Sequence, residues 1–235
     1  MLKKRTANNE IGTINPIHLL SEFAHERGAL FHIDAIQAVG HIPIDVQEAG
    51  IDFLSASAHK FNGPKGIGFL YIRKGVKLEP LLNGGQQEDG FRAGPENVAS
   101  IVGMATALKV NCERMDRDIL HLVNLTIWLC EGIVRICPNA IYLDDGCLGQ
   151  LPGFISVAFP GHSSEEIVKM LDLKGVTVAS GVVCNSKKTK ISHVLKAINA
   201  TNAIGFSIIR ITLGVENTEA DVKGILKALR AALRR

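Results

Sequence analysis

Short apolar runs that each stop at a polar residue, separated by stretches of helical periodicity, constrain this chain most. Ala29–Ile33 stops at Asp34, Asp52–Ala56 runs into Ser57-Ala58-His59-Lys60, and Ile67–Ile72 follows. Between them, Pro16 to Arg27 reads as a helix. Proline suits its first turn, Ile17, Leu20, Phe23 and Ala24 form an apolar stripe, and Gly28 stops it. Alternation of this kind predicts an α/β fold with helices on the faces of a sheet. In open α/β sheets ligands gather beyond the carboxyl ends of the strands. Asp34 and Lys60 follow two such ends, which makes them candidates for one site.

The stretch from Glu96 to Arg135 reads as one or two long helices, with a domain boundary near Arg114. Residues 1–114 then belong to one domain and 115–235 to a second. In the second, Phe154–Phe159, Val176–Ala179 and Ile208–Leu213 read as strands, and Ile191–Ala200 as a helix. Ser163 to Leu173 reads as another helix, with Ser163 and Glu166 spaced as a capping box. A last helix starts at Thr218 as N-cap and runs to the end.

Composition excludes more than it assigns. The net charge of +3 is too small for a nucleic-acid partner, and Lys3-Lys4-Arg5 and Lys187-Lys188 read as solvated surface. No apolar stretch looks long enough to span a bilayer. Met1–Arg5 is followed by polar Asn8-Asn9-Glu10, unlike a signal peptide. The cysteines Cys112, Cys130, Cys137, Cys147 and Cys184 form no CxxC pair and no zinc spacing. Free thiols fit a reducing, cytoplasmic compartment. Cys112, Cys130 and Cys137 read as core residues, Cys147 as a turn residue, and His18, His25 and His121 as helix-surface residues.

A lysine just past a buried strand can join an aldehyde cofactor, and an aspartate at a neighbouring strand end can keep a pyridine nitrogen protonated. That pairing alone is common and unspecific. The wording around it is more specific. Asn8-Asn9-Glu10-Ile11-Gly12, His32-Ile33-Asp34-Ala35-Ile36-Gln37, Ser57-Ala58-His59-Lys60, Gly63-Pro64-Lys65-Gly66-Ile67-Gly68, Phe91-Arg92-Ala93-Gly94, Ala179-Ser180-Gly181-Val182-Val183-Cys184 and Ile209-Arg210-Ile211-Thr212-Leu213-Gly214 occur in this order. Together they resemble the cysteine desulfurases of the class V aminotransferase group, fold-type I enzymes dependent on pyridoxal 5'-phosphate (PLP).

The resemblance implies a truncated large PLP-binding domain followed by a small α/β domain carrying a Cys184 loop. It implies that Lys60 holds PLP and moves the substrate α-proton, and that Asp34 pairs with the pyridine nitrogen. Gln37 and Asn9 lie around the phenolic oxygen and the substrate, Ser57 and His59 hold the phosphate, and Arg210 forks onto the substrate carboxylate. Cys184 receives the sulfur of L-cysteine as a persulfide, leaving L-alanine, and passes it to an acceptor protein, for example in iron–sulfur cluster assembly. Selenocysteine lyase and aminotransferase chemistry run on the same fold, and the Cys184 motif favours desulfurase over aminotransferase. A homodimer is implied, with no nucleic acid, membrane or metal partner.

Three departures are visible. Members of the group carry a long segment before the Asn8-Asn9-Glu10 motif, which supplies a histidine stacked on the PLP ring and a loop that cups its phosphate. The chain therefore reads as a fragment, an impaired remnant or one half of a split enzyme. Pro95 stands where a threonine usually reaches the phosphate of the partner subunit's PLP. Val182-Val183 replaces small residues before Cys184 and stiffens that segment.

Overall fold

The computed structural model describes residues 1–143, 149–185 and 188–234, with backbone alone for 182–185 and 188–190. Cys147 and Lys187 lie outside the described residues. The chain divides into two compact units. One comprises Met1–Ala7 and Asn15–Met115, the other Asn8–Ile14 and Asp116–Arg235. The short excursion Asn8–Ile14 thus groups with the second unit, although its sequence position lies within the span 1–114 expected for the first.

In the first unit a four-stranded sheet runs in the order β1 (Leu2–Arg5), β2 (Phe31–Asp34), β3 (Phe53–Ser57), β4 (Gly68–Ile72). β1, β2 and β3 are parallel, and β4 is antiparallel to β3. β1 was not legible as an apolar strand, because three of its four residues are exposed. Backbone pairing with β2 forms it. Helix α1 (Ile17–His25) lies between β1 and β2 in sequence and buries Ser21 and Ala24. Phe31, Ile33, Ile51, Leu54 and Phe61 are buried in this unit.

Helix α2 (Val98–Ile136) is one continuous helix of 39 residues. By length and composition it could cross a membrane, which the apolar stretches alone did not indicate. Its C-terminal half is instead core: Leu122, Leu125, Leu129 and Ile133 recur at helical spacing and are buried against the second unit's sheet and helices. At Gly132 an added Cβ would overlap the Leu226 side chain, so glycine permits the close approach of two helices there.

The second unit's sheet has the order β5 (Ile141–Tyr142), β6 (Phe154–Ala158), β10 (Ile208–Thr212), β7 (Ala179–Ser180), all antiparallel pairs. A separate ribbon pairs β8 (Val182–Asn185) with β9 (Lys188–Ile191). Helices α3 (Ser164–Asp172), α4 (His193–Ala197), α5 (Asn202–Gly205) and α6 (Glu219–Ala232) complete the unit. Ser163 caps α3 through the Glu166 N–H at 3.5 Å, one half of the expected box. Thr218 and Asp221 form a complete capping box on α6. Val176–Ala179 yields a strand only from Ala179, and the helix expected from Ile191 starts at His193, because Ile191 ends β9.

Candidate functional site

The first unit brings five of the predicted residues to the carboxyl ends of two neighbouring parallel strands. Asp34 is the last residue of β2 and lies level with Ser55 on β3. Ser57, two residues further along β3, points to the same face about 7 Å on. A single turn of 3-10 helix, Ala58–Lys60, then ends on Lys60.

The backbone around Lys60 is held tightly while its amine is not. His41 Nε2 donates to the Lys60 carbonyl at 2.7 Å, and Asn111 Nδ2 donates to the Phe61 carbonyl at 2.6 Å. The Phe61 ring is fully buried, and Asn62 turns the chain in the left-handed region, with φ at 65°. The Lys60 side chain is exposed, and its ammonium makes no ion pair or hydrogen bond among the described residues. This is the arrangement required of a reactive amine: a fixed stem and an available nitrogen. His41 and Asn111 were not recognised from sequence, since they reach the lysine only through tertiary packing.

Asp34 is half-buried. Its Oδ1 accepts the Ile36 N–H at 3.2 Å, and its Oδ2 lies 3.7 Å from Arg5 Nε. Arg5 is therefore an ion-pair partner rather than plain solvated surface. Ser57 Oγ and His59 Nδ1 are 2.9 Å apart, with His59 exposed. Gln37 follows β2 in a helical turn and is half-buried. The donor set suits PLP: an available amine, a carboxylate for a ring nitrogen, and a hydroxyl–imidazole pair for a phosphate.

On the same sheet face His32 Nε2 and Ser55 Oγ share a 2.6 Å hydrogen bond, and the imidazole meets the Phe53 ring edge-on. Burial, helped by Lys3 and partly offset by Asp34, holds the His32 pKa below its ordinary 6.5. The unfolded chain therefore binds this proton more readily than the folded one. The contribution to stability is complete above about pH 6.5 and declines as pH falls below it. Thermal melts across that range should show a steeper acid loss for the wild type than for His32→Gln. Equal slopes would overturn this assignment.

The second unit gathers Asn9 and Arg210. The Asn8 side chain accepts the N–H groups of Glu10 and Ile11 at 2.8 and 3.2 Å, a turn that presents the Asn9 carbonyl. Arg210 sits on the central strand β10, opposite Ser156 and Ala179. Its Nη1 donates to the Asn9 carbonyl at 2.7 Å, its guanidinium lies 5.8 Å above the Phe154 ring, and its buried Nε has no hydrogen-bond partner among the described residues. A buried cationic donor without an acceptor is a place for an anion. Cys184 lies with its backbone in β8 opposite Thr189, so the expected loop is one strand of a ribbon. Its side chain and those of Lys188 and Lys190 lie outside the described residues.

The residues read as bystanders divide. His25 Nε2 is 2.8 Å from the buried Asp52 carboxylate, and His121 Nε2 donates to the Asn217 carbonyl, so neither is simply surface. Cys137 is buried, Cys130 half-buried, and Cys112 exposed rather than core.

The sequence model of class-V aminotransferases matches residues 2–225. The chain belongs to the class-V aminotransferase family. Within that family it resembles the NifS/IscS-like cysteine desulfurases. A cysteine desulfurase IscS of Dictyoglomus turgidum is 46% identical over 223 residues, which make up 95% of this chain and 56% of that protein. Another from Methanosarcina thermophila is 43% identical, over 95% of this chain and 55% of its own. A NifS-like protein of known structure superposes with a TM-score of 0.89 at 35% identity, covering 99% of this chain and 60% of that one. SspA in complex with cysteine superposes with a TM-score of 0.70 at 29% identity, over 92% and 59%. The fold is thus the expected fold-type I α/β class, and the chain spans little more than half the length of these relatives.

Proposed function

We propose that this chain carries the PLP lysine, the substrate-carboxylate arginine and the sulfur-accepting cysteine of a PLP-dependent cysteine desulfurase. The observation that supports this most is Lys60, its backbone clamped and its amine available, one strand away from Asp34 at the carboxyl ends of parallel strands. PLP, when bound, supplies an aldehyde that joins amines and a ring that takes up the electron pair left as the substrate α-proton departs.

In this reading Lys60 holds the cofactor and moves the α-proton of L-cysteine. The Asp34 carboxylate keeps the ring nitrogen protonated, Ser57 and His59 bind the phosphate, and Gln37 and Asn9 border the phenolic oxygen and substrate. Arg210 takes the substrate carboxylate. The Cys184 thiolate attacks the substrate sulfur. The new S–S bond forms as the carbon–sulfur bond breaks, and the β-carbon keeps the electron pair and takes up a proton. L-Cysteine and the Cys184 thiol thereby become L-alanine and a Cys184 persulfide, which passes its outer sulfur to an acceptor protein. Homodimerisation and a cytoplasmic setting belong to the same proposal.

The chain spans 56% of the Dictyoglomus relative, and a second reading is that its residues act only together with the segment that relative carries in addition. Both readings are tested by assaying L-alanine and sulfide from L-cysteine under reducing conditions. The chain is assayed alone and with the N-terminal portion of that relative supplied as a separate polypeptide. Equal molar yields of the two products from the chain alone support the first reading, and yields only after complementation support the second. Product formation should fall to background in Cys184→Ala. Undiminished formation in that variant would remove Cys184 from the mechanism, and no product under either condition would overturn both readings.

A further inference from the structure

Asn9 and Arg210 meet because a neighbouring segment holds them there. Residues Asn8–Ile14 belong to the second unit, and the contacts that hold them lie within it. Gln150 Nε2 donates to the Ile11 carbonyl at 2.8 Å, Thr13 bridges to Gln150, the Ile14 N–H donates to the Gly149 carbonyl at 2.6 Å, and the Leu151 N–H donates to the Gly12 carbonyl at 3.0 Å. Gly12 has a left-handed φ of 78°, and an added Cβ would overlap the Phe154 ring and the Gln150 amide oxygen. The excursion therefore lies flat on Gln150 and Phe154, a contact only glycine permits. The same Phe154 ring lies beneath the Arg210 guanidinium.

Behind this surface is a cavity of about 340 Å³ lined by Thr126, Ile127, Tyr142, Gln150 and Phe154 among others. On the other side, Phe154 meets Gly12 and the Arg210 guanidinium, and Gln150 donates to the Ile11 carbonyl.

We propose that Gln150 and Phe154 are positioning residues that hold the Asn9 carbonyl on one edge of Arg210, so that the guanidinium presents its remaining donors to a substrate carboxylate. This rests on the reading of Arg210 as the carboxylate site. The Asn9 carbonyl occupies Nη1, which fixes the fork's rotation, and the unpartnered Nε is left to be satisfied by an anion. A guanidinium free to rotate would lose the preorganisation that makes its fork selective.

The test uses the full chain with PLP bound and two amines, L-alanine and L-alaninol, which lacks the carboxylate. Binding is followed by the visible absorbance of the cofactor and by the Arg210 Nε–H resonance, assigned through its loss in Arg210→Lys. Gln150→Met keeps length without a donor, and Phe154→Leu removes the ring. Each should weaken L-alanine about tenfold, the worth of one well-placed hydrogen bond, and leave L-alaninol unchanged. Phe154→Tyr should bind both as the wild type does. Far-UV circular dichroism confirms folding, and Gln150→Met decides the matter if Phe154→Leu unfolds. If the wild type itself does not distinguish the two amines, the role of Arg210 falls, and the clamp with it. If the wild type distinguishes them and both variants do so equally, the clamp alone is overturned.

Discussion

Lys60→Ala abolishes the visible absorbance band that PLP acquires when joined to a lysine, while leaving the melting profile of the apo chain unchanged. The two halves of this expectation have separate causes. The amine is exposed and unpartnered, so nothing in the fold depends on it. Its backbone carbonyl, which His41 does hold, is kept in alanine. If Lys60 moves the α-proton as proposed, turnover of L-cysteine by the chain, alone or complemented, should fall by about 10²–10⁴ in Lys60→Ala, and losing the proposed attachment of the cofactor should add to that. Absorbance titration with PLP, followed by borohydride reduction and peptide mass mapping, checks the assignment. An adduct on Lys65 or another lysine in place of Lys60 would refute it.

Asp52→Ala is the substitution expected to damage the fold most. Its side chain is 3% exposed. One carboxylate oxygen takes the Phe31 N–H at 2.7 Å and lies 2.8 Å from His25 Nε2, and the other lies 3.4 Å from Arg73 Nη1. Alanine leaves a buried amide without an acceptor beside two groups that faced an anion. Breaking a buried pair of this kind costs about 3–5 kcal/mol, and the half-exposed His25 and Arg73, which water can re-solvate, place the effect near 3 kcal/mol. Asp52→Asn keeps a carbonyl for Phe31 and should lose clearly less. Urea unfolding of both variants measures the difference. Equal midpoints for wild type and Asp52→Ala would show that the cluster contributes nothing.

Asp52 also shows what pattern reading misses. In the sequence it merely opens the apolar run Asp52–Ala56. Its role appears only when α1, β2, β3 and the residue after β4 converge on it. His25, His41, Asn111 and Gln150 are of the same kind: each acts on a backbone or side chain 19 or more residues away. Conversely β1, a run of cations, is a strand because β2 offers its edge, and β-structure is set by pairing more than by composition.

Local order was legible where physics is local. The strand ends that place Asp34 and Lys60, the helical character of Glu96–Arg135 and the Thr218 cap follow from periodicity and end signals within a few residues, whereas the continuity of α2 through Arg114 does not. The words around Lys60, Arg210 and Cys184 carried the family, and with it the cofactor proposal. What only folding decided is which partner each polar group meets. The lysine's stem is clamped and its amine left available, the Asn9 turn groups with the second unit, and among the described residues Arg210 keeps one buried donor without an acceptor. Hydrogen bonds over long sequence separations depend on how distant segments pack, and no pattern within either segment encodes that.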